Sequence, residues 1–190
     1  GAAFSILLED LDPRVKLIRG RRLSELEGLD SSFDAVVAIG AHAMAGTPSA
    51  LLCHTLSHET IVNIWLNGKL VGEIGLWAAI AGYYNVPMIM VAGDYAATEE
   101  AKKLLGDIEV VAVKRATSMY AAECIHPSVA RELITSAAER ALTRLRRGEF
   151  KPLKLEPPVE LKVEYMLPTH VERIALRPGV VRVDGRTVLY

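Results

Sequence analysis

Cysteine is scarce in this chain: two residues, Cys53 and Cys124, in 190. Two thiols make no disulfide framework, so the fold must rest on a hydrophobic core, and a reducing, cytoplasmic setting is expected. No apolar run approaches the roughly 20 residues that a membrane helix needs. No basic stretch leads into an apolar segment near the start, so no export signal is expected. Excess charge of either sign is also missing: 22 Lys+Arg face 23 Asp+Glu, a net charge of -1. That balance argues against nucleic-acid and membrane-surface partners. There is no Walker-type loop, and Gly72-Glu73-Ile74-Gly75 lacks the spacing of a dinucleotide fingerprint. No repeat or low-complexity stretch is visible.

What is present is an ordinary globular composition, 51% hydrophobic and 24% charged, with length for one full core and a small appended unit. Residues 4–11 have helical spacing and stop at Asp12-Pro13; residues 15–18 read as a short strand and 23–29 as a short helix or turn. Residues 33–39 are nearly continuously apolar, which suits a strand buried on both faces. Residues 60–66 alternate and are β-branched, and Asn67-Gly68 is a hairpin signal before a returning strand at 69–72. A helix rich in small residues is expected over 73–84, a buried strand over 86–92, an amphipathic helix over 98–105 and a strand over 108–113. His126-Pro127 opens a long helix to about Arg147, its arginine-rich face solvated. A Pro- and Lys-rich linker, 151–158, leads to a strand at 161–165, a short helix at 170–176 and a hairpin around Asp184-Gly185.

This rhythm predicts an α/β fold, a central parallel or mixed sheet flanked by helices, with a smaller C-terminal α+β unit. The expected division is a core over 1–120 and a helix plus α+β unit over 121–190.

His42 follows the first buried strand in a loop of small residues, at the sheet edge where α/β folds bind ligands. His54 is adjacent to Cys53. Glu73 sits between Gly72 and Gly75 in the first turn of a helix, where the dipole favours a carboxylate. Two imidazoles and a carboxylate can hold zinc or carry out acid–base chemistry. On spacing alone, local backbone capping accounts for His42 as well as a functional role does, and Glu73 is equally well an ordinary first-turn carboxylate. Cys53 reads as core filler, since neighbours on a strand point to opposite faces. His58, His126 and His170 read as structural or surface residues, Asp94 as a helix cap, and Lys114-Arg115 as surface charge.

The segments Gly40-Ala41-His42-Ala43, Thr47-Pro48, His54, Val71-Gly72-Glu73-Ile74-Gly75-Leu76, Ala81-Gly82-Tyr83-Tyr84-Asn85-Val86-Pro87 and Met90-Val91-Ala92-Gly93-Asp94 together resemble the zinc-dependent D-aminopeptidases encoded with dipeptide-transport operons. The resemblance covers most of the chain. It implies a two-zinc site in which His42 and Glu73 are metal ligands, with His54 the catalytic histidine beside the metals. It further implies short D-amino-acid peptides as substrates and a ring-shaped homo-oligomer. The family's other three ligands, an Asp-x-Glu pair and a histidine in an Asp-x-His segment, have no counterpart; Glu9-Asp10-Leu11-Asp12 is the nearest pattern. The chain therefore reads as lacking a first β-α portion and a last helix.

Three readings follow. The first is a metallo-aminopeptidase hydrolysing peptides with an N-terminal D-residue of the D-Ala type through a two-zinc-activated water. The alternative is a non-catalytic, oligomer-forming fragment without the N-terminal ligands. The third is an amidase with Cys53 as nucleophile, which predicts alkylation-sensitive, chelator-resistant activity.

Overall fold

The computed structural model describes residues 6–20 and 24–190. The described elements run β1 (Val36–Ala41), β2 (Ile61–Leu66), β3 (Lys69–Val71), α1 (Glu73–Tyr83), β4 (Met88–Asp94), α2 (Tyr95–Leu105), β5 (Glu109–Ser118), β6 (Ala121–Cys124), α3 (Pro127–Arg146), β7 (Leu161–Tyr165), α4 (Pro168–Ile174), β8 (Val181–Arg182) and β9 (Thr187–Leu189). They form two sheets. The first has the order β1-β4-β5-β6, and the second β3-β2-β7-β9-β8. The architecture is α/β, as expected from the sequence.

In the first sheet β1, β4 and β5 are parallel, and β6 returns antiparallel on β5. All seven residues of β4 are buried, which explains its unbroken apolar run. On one face α1 and α2 pack through Ile74, Ala78, Ala97 and Ala101. On the other, α3 packs through Ala137 and Ala141. The small side chains let helix and sheet backbones come close. Gly93 has the same role between strands, since a Cβ there would run into the Ala41 carbonyl of β1.

The second sheet is antiparallel, with Ile64, Val71, Val163 and Val188 at its centre. Asn67 and Gly68 take φ of 46° and 77°, the left-handed pair that a two-residue hairpin requires. Residues 60–66, 69–72 and 161–165 thus form strands where the sequence places them. Leu76 and Ala79 of α1 pack on this sheet, while Ile74 and Ala78 pack on the other. A helix held between two sheets is apolar nearly all round. Burying one such isoleucine fully stabilises by about 1.5–3 kcal/mol. The 151–158 linker is pinned in the same region: Lys154 Nζ donates to the Gly82 carbonyl at 2.8 Å, and Asn67 Nδ2 donates to the Glu156 carbonyl at 2.7 Å.

Several local expectations are corrected. Residues 15–18 form no strand, and the helical spacing of 4–11 yields only a 3-10 turn at Leu8–Asp10; residues 4 and 5 lie outside the described residues. The 23–29 stretch is a series of turns, with Leu23 likewise outside. β1 is not buried on both faces: among the described strands only β4 pairs with it, and Ile39 is 65% exposed. α2 begins at Tyr95, three residues before the expected Thr98, because the Asp94 side chain caps it by accepting from the Ala97 N–H. The long helix begins at Pro127, as expected, with His126 Nδ1 accepting from the Ser128 N–H.

Candidate metal centre

β1 ends at Ala41, and the chain leaves the carboxyl edge of the first sheet carrying His42. β3 ends at Val71, and after Gly72 the first residue of α1 is Glu73. The loop between β1 and β2 carries His54. These three side chains come from different segments and meet. Suitable donor atoms of His42, His54 and Glu73 all lie within 4.8 Å of one another. Glu73 Oε1 is 3.5 Å from His42 Nε2 and 3.7 Å from His54 Nε2. The two imidazole rings stack, with centroids 4.0 Å apart. Side-chain exposures of 21%, 28% and 14% for His42, His54 and Glu73 leave the cluster sheltered but open to solvent.

Each ring is fixed from behind. His42 Nδ1 lies 3.1 Å from the Ala43 carbonyl, and His54 Nδ1 lies 2.7 Å from the Leu52 carbonyl. A carbonyl only accepts, so both Nδ1 atoms carry the proton. In the neutral ring Nε2 is then an unprotonated lone pair, and both Nε2 atoms face the Glu73 carboxylate. Such a carbonyl contact on the far nitrogen is the usual way a protein orients a metal-binding histidine. Glu73 Oε1 is held in turn by the Leu56 N–H at 2.9 Å.

The supporting loop is ordered by polar contacts. The Met44 N–H donates to Glu100 Oε2 at 2.7 Å, and the Ala45 N–H to the buried Thr55 Oγ1 at 3.1 Å. The Leu51 N–H donates to Asp94 Oδ2 at 3.1 Å. Ser49, Leu52 and Leu56 adopt φ of 52°, 52° and 60°. Left-handed backbone at non-glycine residues costs of order 1–3 kcal/mol each and is concentrated at functional sites.

The remaining candidates are placed as follows. Cys53 and His54 lie in a loop, so strand alternation does not separate them; both line a cavity of about 340 Å³ together with His58, Ile61, Met119 and Met166. His58 is exposed. The Arg115 guanidinium sits 4.2 Å over the Tyr95 ring. Asp94 is more than the expected cap, since it also holds the His54 loop. Glu100 was not legible as part of the site: in the sequence it is one of two glutamates on an amphipathic helix. Its carboxyl is pushed above the usual carboxylate range, first by burial and then by the nearby Asp94 and Glu73, with the Met44 N–H pulling the other way.

An α/β scaffold with two imidazoles and a carboxylate gathered at the sheet's carboxyl edge is built on the pattern of a metal-dependent hydrolase. Comparison with known proteins agrees. The family model for D-aminopeptidase matches residues 1–190. A D-aminopeptidase of Bacillus subtilis is 35% identical over 190 residues, which cover 97% of this chain and 67% of that protein. The solved structure of the Zn-dependent D-aminopeptidase DppA from Bacillus subtilis, a self-compartmentalizing protease, superposes with a TM-score of 0.92 at 33% identity, over 100% of this chain and 69% of that one. The chain belongs to the D-aminopeptidase family, a family of peptide hydrolases.

Proposed function

We propose that this chain hydrolyses short peptides bearing an N-terminal D-amino acid of the D-Ala type, with His42 and Glu73 as zinc ligands and His54 as the catalytic histidine. The observation that carries the reading is the convergence of two imidazole Nε2 atoms on one carboxylate oxygen, at 3.5 and 3.7 Å. An imidazole nitrogen and a carboxylate oxygen are donors that zinc takes, and the solved relative DppA is Zn-dependent.

Zinc held by His42 and Glu73, as part of the family's two-ion site, would supply Lewis-acid polarisation of a carbonyl and a nucleophilic water at neutral pH. The protein's own groups do the rest. His54 Nε2, its ring locked by the Leu52 carbonyl, accepts the proton of the attacking water and returns it to the leaving amine as the peptide C–N bond breaks. Glu73, held by the Leu56 N–H, keeps its carboxylate turned to the cluster. The cavity beside His54 is bordered by small Ala45 and Gly46 and by apolar Ile61 and Met119, with no carboxylate or lysine among its described lining residues. It therefore suits a short, uncharged residue. The self-compartmentalizing relative supports a ring-shaped homo-oligomer as the working form, with residues 121–190 contributing to assembly.

The test is release of D-alanine from a D-alanyl dipeptide, with the L-enantiomer as control and a chelator added in parallel. Hydrolysis confined to the D-peptide and lost with the chelator is expected. Chelator-resistant hydrolysis blocked by thiol alkylation would transfer the chemistry to Cys53.

A further inference from the structure

Beneath the donor cluster, α2 presents the Glu100 carboxylate to two backbones at once. Its Oε2 accepts the Met44 N–H at 2.7 Å, two residues past His42. Its Oε1 is buried against Gly72, the residue before Glu73. A Cβ on Gly72 would come within 2.7 Å of this oxygen and 2.6 Å of Met44 Cβ. Met44, Gly72 and Glu100 thus form a three-way contact with no spare space. The Gly72 amide attracts Oε1 without forming a regular hydrogen bond.

The residue choice is costly. Oε1 lacks a hydrogen-bond partner, and no basic side chain pairs with Glu100 in any ion pair among the described residues. Buried carboxylates in that situation destabilise a fold and are retained where a site needs them. The two backbones that Glu100 touches belong to different sheets. His42 leaves the first sheet at β1, and Glu73 follows β3 of the second. Glu100 is a side chain from a third element, α2, that touches both chain segments at the point where their donors must converge.

We infer that Glu100 is a positioning residue that fixes His42 relative to Glu73, acting on the metal through those two side chains without touching it. The inference rests on the proposed assignment of His42 and Glu73 as zinc ligands. Loss of a partner at one remove from a metal typically weakens affinity or activity by about 10–100-fold.

The test is zinc affinity by chelator competition, together with hydrogen exchange of the Met44 amide in the zinc-free protein. Glu100→Ala should weaken zinc binding by about 10-fold or more and speed Met44 exchange. Glu100→Gln keeps an acceptor for Met44 and should recover most of both. A folded Glu100→Ala protein with unchanged zinc affinity overturns the inference. If that variant does not fold, Glu100→Asp decides: its shorter side chain withdraws from Met44, and undiminished zinc affinity again overturns it. Failure of the intact protein to bind zinc would instead overturn the ligand assignment on which the inference stands.

Discussion

The two sheets of this molecule are built by different means, and the contrast locates the chemistry. The second sheet is held by packing: Ile64, Val163, Val171 and Val188 are at most 4% exposed, its hairpins use local turn chemistry, and the donor cluster takes none of its strand residues. The first sheet ends in costly features: left-handed Ser49, Leu52 and Leu56, the buried carboxylate Asp94, the buried Oε1 of Glu100, and three polar side chains converging at one point. Yet the site belongs to both. Glu73 reaches His42 only because the β2–β3 hairpin, paired with β7, delivers Gly72 against the β1 loop. The second sheet thus acts as a jig for Glu73, one of the two proposed ligands.

The comparison can be broken most severely at the proposed ligands themselves. His42→Ala or Glu73→Ala should remove one bound zinc and reduce peptide hydrolysis to background, read by elemental analysis and turnover. His54→Ala should leave zinc in place and lower turnover by about 10²–10⁴-fold, the usual contribution of a general acid–base group. If His54→Ala alone emptied the site, His54 would be a ligand. At the junction, Gly72→Ala should cost about 1–3 kcal/mol from overpacking and weaken zinc affinity as well. Ile64→Val, in the second sheet, should cost about 0.5–1.5 kcal/mol in a thermal or denaturant melt with zinc affinity untouched. Equal effects of these last two on zinc would erase the distinction between junction and jig.

The smallest effect concerns pH. The Glu100 carboxyl is held above its ordinary range by burial, so the folded state keeps this proton more tightly than the unfolded one. That contribution to stability is present below the unfolded pKa, about 4.3 for a free glutamate, and is lost as pH rises through the folded value. In zinc-free protein, Glu100→Gln should therefore gain stability relative to the parent as pH rises from 4 toward 7. A constant difference across that range would contradict the placement of Glu100.

Much of this was legible in the sequence because it depends on local signals. The Asn67-Gly68 turn, the Asp94 cap and the His126-Pro127 helix start each need only a few adjacent residues. The apolar run of β4 announced burial on both faces. The same signal misled at β1, where the Val36-Val37-Ala38-Ile39 run lies at the edge of the sheet among the described strands: apolar content does not reveal how many neighbours a strand has. β6 was missed because Ala121-Ala122-Glu123-Cys124 carries little strand propensity, and its pairing with β5 supplies what propensity does not. His42, His54 and Glu73 were legible as candidates, one by one and through family resemblance. Their convergence depends on three separate chain segments, and the part of Glu100, 56 residues from Met44, is invisible to any local pattern.

The most direct test of the central claim is the zinc content of the protein purified without added metal, measured beside His42→Ala. The account predicts bound zinc in the intact protein and a loss of it in the variant. An intact protein that carries no zinc, or a variant that keeps all of it, would contradict the assignment of this cluster as a metal centre.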